Sequence, residues 1–143
     1  MRTAIDSNVI SAVWSGGEPM ASKAVERLGT AGSEGALLIS PFVFSELLAY
    51  PGATVPALQK FLNDTGITFD LKLDEQVWIE AGLRFARHAK RRKRSIGSGP
   101  RRVLADFLIG AHALVQADRL LTFDPTVYRQ DFPELHPLWD NPK

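Results

Sequence analysis

Val103-Leu104-Ala105-Asp106-Phe107-Leu108-Ile109-Gly110-Ala111-His112-Ala113-Leu114-Val115, followed closely by Arg119-Leu120-Leu121-Thr122-Phe123-Asp124, is the stretch that decides the fold. At about 100° per residue, Val103, Leu104, Phe107, Leu108, Ala111, Leu114 and Val115 line up as one apolar stripe, so residues 103–115 read as a helix. Residues 119–123 form a short apolar run and read as a buried strand. Asp106 lies just outside the edge of the stripe, beside Gly110 and Ala113, whose small size leaves room for another group to approach. Asp124 closes the strand. Both carboxylates therefore stand at a core boundary, where a charge needs a partner.

The same step recurs upstream. Residues 2–6 read as a short buried strand, with Asp6 directly after Thr3-Ala4-Ile5. Ser7-Asn8 follow, then a helix from Ala21 to Leu28, a turn region from Gly29 to Gly35, and a second strand, Ala36-Leu37-Leu38-Ile39. Ser40-Pro41 supplies an N-cap and a first-turn proline. The helix they open runs over Phe42 to Tyr50 and is stopped by Pro51-Gly52. Its stripe is Val43, Phe44, Leu47 and Leu48, and Glu46 takes the same offset from Val43 that Asp106 takes from Val103. A helix from Val55 to Asn63, a strand Ile67-Thr68-Phe69 and a long helix capped by Asp74 and running to about Arg92 come next. Ser95 to Pro100 reads as a flexible break. A short helix near Pro125 to Tyr128 and a last strand near His136 to Leu138 end the chain. Strands alternating with helices predict an α/β fold, a central mostly parallel sheet with helices on both faces. The length of 143 residues suits a single domain spanning 1–143. Ligands of such sheets bind past the carboxyl ends of the strands, where Asp6 and Asp124 fall.

Asp6, Glu46, Asp106 and Asp124 thus form a set of four acids against predicted core elements. A shared divalent cation explains them most economically, because hard oxygen ligands suit Mg²⁺ or Mn²⁺. The chain has no cysteine and only three, widely spaced histidines, which argues against a zinc site. With no apolar leader and no run of the roughly 20 residues a membrane span needs, the reading is a soluble, cytoplasmic protein without a membrane partner.

Charge is strongly segregated. Residues 84–102 hold nine Lys or Arg and no acid, while the remainder sums to −8. A basic segment on an acidic body suggests a polyanion, and Arg91, Arg92, Lys93, Arg94, Arg101 and Arg102 are its candidate contacts, RNA-binding residues if the partner is RNA. Arg84, Arg87 and Arg91 share one helix face. A solvated helix end is the competing reading of the same run.

The four acidic segments, taken in order, resemble PIN domains. Asp6-Ser7-Asn8-Val9-Ile10 is similar to that family's opening motif and Ser45-Glu46-Leu47 to its second. Ala105-Asp106-Phe107-Leu108-Ile109-Gly110-Ala111 resembles the third, and Leu121-Thr122-Phe123-Asp124 the fourth. Order, spacing and length resemble a VapC-type toxin ribonuclease over nearly the whole chain. The resemblance implies a three-layer α/β fold and cleavage of RNA with Mg²⁺ or Mn²⁺, by a homodimer that a cognate antitoxin protein blocks. It carries over Asp6, Glu46, Asp106 and Asp124 as the acidic cluster, with Asp6 and Asp106 as direct ligands and Ser7, Asn8 and Thr122 as site-orienting groups. The basic Gly-Ser segment at 90–102 is longer and more charged than the family pattern. A non-catalytic RNA-binding or assembly module of the same fold, and a related DNA nuclease, are the alternatives.

Other conspicuous residues have plainer readings. His88 lies within the stripe of Val77, Trp78, Ala81, Phe85 and Ala89, as a core histidine. His112 follows Asp106 by six residues, about 120° away around the helix, and does not share a metal with it. His136 has no partner in view. Trp14, Trp78 and Trp139 are core or interface residues. Gly97-Ser98-Gly99 lacks the Lys-Ser/Thr of a phosphate-binding loop. The helices between Phe42 and Asn63 carry Phe42, Phe44, Leu47, Leu48, Tyr50, Leu58 and Phe61, enough apolar surface either for the core or for a partner helix.

Overall fold

The computed structural model describes residues 1–95 and 103–135. In chain order the elements are β1 (Arg2–Ile5), α1 (Ser7–Ser15), α2 (Met20–Glu34), β2 (Ala36–Ile39), α3 (Pro41–Leu48), α4 (Val55–Thr65), β3 (Ile67–Phe69), α5 (Glu75–Ser95), α6 (Leu104–Gln116), β4 (Arg119–Leu121) and α7 (Thr126–Arg129). The sheet order is β3-β2-β1-β4. Every pairing is parallel, and Ala4 at the centre lies opposite Leu38 on one side and Leu120 on the other. Strands buried this way need apolar side chains on both faces, which is why β1, β2 and β4 read as continuous apolar runs.

Strand order fixes the layers. From β1 the chain steps one way through β2 to β3, then returns across the sheet to β4 on the other side of β1. Right-handed crossovers in opposite directions put their helices on opposite faces. The order reverses between β1 and β4, so the crevice past their carboxyl ends is the natural ligand position. Asp6 opens that crevice: its backbone N–H donates to Leu121 O at 2.9 Å, joining the two strand ends.

Two parts of the N-terminal half depart from the sequence reading. Residues after Asp6 form the helix α1, with Val9 and Ile10 fully buried, where no helix was expected. Gly29 to Glu34 are helical rather than a turn, and α2 runs on to Glu34. Glycine weakens a helix by only about 1 kcal/mol, which packing of the buried Ala31 offsets. The real stop is Gly35, where a Cβ would stand 1.7 Å from the backbone oxygen of Met1. The remaining helices match closely. Ser40 Oγ accepts from Val43 N at 3.3 Å to cap α3, and Asp74 Oδ1 accepts from Gln76 N at 2.8 Å at the start of α5. Of the break expected at 95–100, Ser95 instead ends α5 and the rest lies outside the described residues, as does the strand expected at 136–138.

Candidate active site

Asp6 is the N-cap of α1, and its Oδ1 accepts the Ser7 backbone N–H at 2.8 Å. This is ordinary capping chemistry, but it happens at 7% exposure at the mouth of the crevice. Its other oxygen, Oδ2, accepts from Thr122 Oγ1 at 2.9 Å, from Tyr128 Oη at 2.9 Å and from Asn8 Nδ2 at 3.5 Å. Burial nevertheless wins over these donors, and with the nearby charge of Asp106 it raises the Asp6 carboxyl above its usual range.

Glu46 stands on α3 at the exposed lip, where Ser7 Oγ donates to its Oε1 at 3.0 Å. Partial burial raises its carboxyl as well, and the charges of Asp6 and Asp106 push the same way. Asp106 is half-buried in the first turn of α6, and its Oδ2 accepts from Val103 N at 3.3 Å. Acid at a helix start is also favoured by the helix dipole. The charge of Asp106 thus reaches both Asp6 and Glu46, and that of Asp6 reaches Glu46, although the three acids come from three separate elements.

Asp124 is placed differently. It is exposed in the loop after β4, and its Oδ1 accepts from Thr126 Oγ1 at 2.7 Å. The connection to the buried corner runs through Thr122, whose hydroxyl donates to Asp6 and accepts from the Asp124 backbone N–H at 3.0 Å. Asn8 ties the same loop down: its Oδ1 accepts from Phe123 N at 3.1 Å and its Nδ2 donates to Thr122 Oγ1 at 3.3 Å. Ser7, Asn8 and Thr122 thus hold the acids in place from both strand ends. Tyr128 was not singled out from the sequence. A tyrosine in a one-turn helix carries no local signal that its hydroxyl will meet an acid 122 residues earlier.

A divalent cation fits this corner. Three carboxylates influence one another, and among the described residues no Lys or Arg bonds to Asp6 or Glu46. Among the same residues, no set of three His, Asp or Glu side chains is already arranged to hold an ion unaided. The two facts are compatible, because Mg²⁺ keeps several waters and is commonly held directly by only one or two carboxylates.

The basic segment divides into fixed and outward-facing residues. Arg84 is buried, donates to Glu80 Oε2 at 2.9 Å, to Asp131 O at 2.8 Å and to Glu134 Oε1 at 2.8 Å, and lies 4.8 Å over the Phe132 ring. Arg91 pairs with the buried carboxylate of Asp131. A cleft of about 330 Å³ on this face is lined by Arg84, Arg87, Arg91, Asp131 and Glu134, so acids compensate part of its charge. Arg92 and Lys93 continue toward the end of α5, Lys93 exposed. Arg94 enters the description only through its backbone, and Arg101 and Arg102 lie outside the described residues.

His88 and His112 are described, and His136 lies outside the described residues. His88 is buried with its ring 5.5 Å from that of Phe107. His112 is 1% exposed, with Nε2 2.9 Å from Asp70 Oδ2, and burial lowers its pKa despite that acid. Gly110 also has its explanation: a Cβ there would meet the Phe132 ring at 2.6 Å. The group that approaches α6 at its small residues is thus an aromatic ring of the core.

The model of the PIN domain family matches residues 3–133, nearly all of the chain. The chain belongs to the PIN domain family. PIN domains are nucleases that generally use divalent metal ions. Among solved structures, this PIN domain is similar to a chain of VapBC-1 from nontypeable Haemophilus influenzae, at 19% identity and a TM-score of 0.67, covering 97% of this chain and 98% of that one. A chain of VapBC2 from Rickettsia felis, solved bound to a DNA fragment from their promoter, is similar at 17% identity and a TM-score of 0.67, covering 98% and 100%. At these identities the likeness is one of fold. No curated protein is significantly similar in sequence. Among the described residues of the PIN domain, no helix is long and apolar enough to cross a membrane.

Proposed function

We propose that this PIN domain is a metal-dependent endoribonuclease, the cytoplasmic toxin of a VapC-type toxin–antitoxin pair. The observation that carries the reading is Asp6: a buried carboxylate that, among the described residues, accepts only from neutral donors and lies within reach of the charge of Asp106, while Glu46 feels both. Such a charge cluster is costly unless a cation joins it. Asp6 and Asp106 would hold the ion directly. Glu46 and Asp124 would act through water, or Asp124 at a second ion. When bound, Mg²⁺ or Mn²⁺ lowers the pKa of water and stabilises negative charge on the leaving oxygen.

The chain's own residues supply the geometry. Thr122 and Tyr128 orient the Asp6 carboxylate and oppose the rise that burial causes, and Ser7 holds Glu46 toward the same point. Basic residues at the end of α5, together with Arg101 and Arg102, would hold flanking phosphates, with the α6 amides adding attraction. The antitoxin would use the apolar groove of about 340 Å³ between α1 and the α3–α4 corner, lined by Trp14, Tyr50, Ala57, Leu58 and Phe61. Homodimerisation would use the outer stripe of α5, where Trp78, Ile79 and Leu83 are exposed. The fold shared with the VapBC chains supports a cognate antitoxin as partner.

The test is cleavage of single-stranded RNA and of DNA by the purified protein with Mg²⁺, Mn²⁺ or a chelator. RNA cleavage should require metal, and Asp6→Asn and Asp106→Asn should each reduce it by more than about 100-fold without unfolding the protein. Activity in chelator, or full activity of both variants, would overturn the site. Preferred cleavage of DNA would transfer the same site to the DNA-nuclease reading, and metal-independent RNA binding without cleavage to the non-catalytic one.

A further inference from the structure

The two oxygens of Asp6 are unequal. Oδ2 takes the hydroxyls of Thr122 and Tyr128, each at 2.9 Å, and the Asn8 amide at 3.5 Å. Oδ1 takes only the Ser7 N–H at 2.8 Å among the described residues. An ionised carboxylate offers about four lone-pair sites, two on each oxygen. Oδ2 is therefore saturated, whereas Oδ1 keeps capacity for one more partner. We propose that Tyr128 is a positioning residue that, together with Thr122, anchors Asp6 Oδ2 and so presents Oδ1 to the divalent ion. The proposal rests on the metal-site reading above and assigns a role to a residue outside the four acidic motifs.

A four-residue helix cannot hold a tyrosine in place by itself. A brace on its C-terminal side does so. Phe132 N donates to Tyr128 O at 2.8 Å, and the Phe132 ring closes on Gly110 of α6, where any side chain would collide. Arg84 covers that ring from the other side and donates to Asp131 O and Glu134. Because α6 also carries Asp106, the brace sets Tyr128 relative to two of the acids at once. The phenol is 1% exposed, and burial raises its pKa, so the hydroxyl stays a donor. A phenol donating to a carboxylate makes a charge-assisted, directional bond, which fixes the orientation of the Asp6 carboxylate.

The experiment is calorimetric titration of the full chain with Mn²⁺, in wild type, Tyr128→Phe, Asp6→Asn and the double variant. Phenylalanine keeps the buried ring and removes only the hydroxyl. Tyr128→Phe should weaken Mn²⁺ about 10–100-fold, as loss of an outer partner of a metal ligand does, and should add nothing in the Asp6→Asn background. With RNA at saturating Mn²⁺, KM should be unchanged, because the hydroxyl meets no substrate. Unaltered Mn²⁺ affinity in folded Tyr128→Phe, with binding lost in Asp6→Asn, would overturn the Tyr128 role and leave the metal site standing. Wild-type affinity in Asp6→Asn would overturn the site reading itself. If Tyr128→Phe loses its cooperative melt, Thr122→Val removes the other hydroxyl from Oδ2. It should weaken Mn²⁺ similarly, with Thr122→Ser restoring affinity. Unaltered affinity in Thr122→Val would overturn the anchoring of Oδ2.

Discussion

Asp6 and Asp131 are buried to almost the same degree, 7% and 6% exposed, yet their surroundings are opposite. Asp131 meets a cation: Arg91 pairs with one oxygen, and Arg84 takes its backbone carbonyl. Its second oxygen has no hydrogen-bond partner among the described residues. Asp6 has both oxygens hydrogen-bonded and, among the described residues, no cationic partner. The contrast separates two needs that burial creates. Hydroxyls and amides satisfy the directional demand of a carboxylate without neutralising it, whereas an arginine neutralises it. Asp131 is an internal charge balanced within the fold, as suits a residue that fastens the C-terminal brace. Asp6 is fixed and oriented by neutral donors among the described residues, as suits the ion-holding role proposed for it.

The largest effect expected of this contrast is on stability. Arg91→Gln leaves Asp131 buried and unpaired, which should cost about 3 kcal/mol, at the low end for a buried pair because Arg91 is partly solvated. For a chain of this size that lowers Tm by roughly 6–12 °C. Adding Asp131→Asn should recover much of the loss, and thermal melts of the single and double variants measure both. A single variant melting with wild type would remove the distinction between the two carboxylates.

A smaller effect concerns pH. The Asp6 carboxyl is raised above its ordinary 3.8, chiefly by burial. A raised group contributes stability that is fully present below the unfolded value and is lost as pH rises through the folded one. In chelator, Asp6→Asn should therefore match wild type near about pH 4 and melt increasingly above it as pH approaches 7. Added Mn²⁺ should close that gap by stabilising wild type only. The opposite region has the opposite sign. The Arg84 guanidinium holds the Glu134 carboxyl down to about 2, so its contribution is present above the ordinary 4.5 and lost only as pH falls toward 2. Between pH 4.5 and 7 the comparison thus reads the acidic corner alone. Identical melting of wild type and Asp6→Asn across this range would mean that Asp6 is not an unbalanced charge.

The smallest effect is on salt dependence of RNA binding. Since Arg84 and Arg91 are committed to acids, RNA contact should fall to the residues beyond them. Replacing Arg92, Lys93 and Arg94 with Gln, with Arg91 kept, should lower the log–log salt slope by roughly 1–2 at about 0.7 per lost phosphate contact. Fluorescence anisotropy in chelator measures this without cleavage. An unchanged slope would make the end of α5 a solvated helix end or an antitoxin contact.

Much of this protein is legible in its sequence, because periodicity and end signals are local. The apolar runs at Thr3-Ala4-Ile5, Leu37-Leu38-Ile39 and Leu120-Leu121 mark parallel strands, Ser40-Pro41 marks a helix start, and the apolar run of residues 103–115 marks α6, although its expected stripe is not the buried face: Val103 and Leu104 are exposed, whereas Ile109, Gly110, His112 and Ala113 are buried because α6 is packed on several sides. What periodicity reports is which face of an element is buried, not what it is buried against. Only tertiary structure could turn Ser7–Ser15 into a helix by burying Val9 and Ile10, or carry α2 through Gly29 and Gly32. It alone decides that Glu46 converges with Asp6 while Asp124 stands at the exposed rim, that Phe132 fills the space beside Gly110, and that Arg91 belongs to Asp131. Tyr128 is the sharpest case: its partner lies 122 residues away. That bond exists because strand order sets β1 beside β4 and the Phe132–Arg84 brace orients α7, and neither relation is written in the residues around Tyr128.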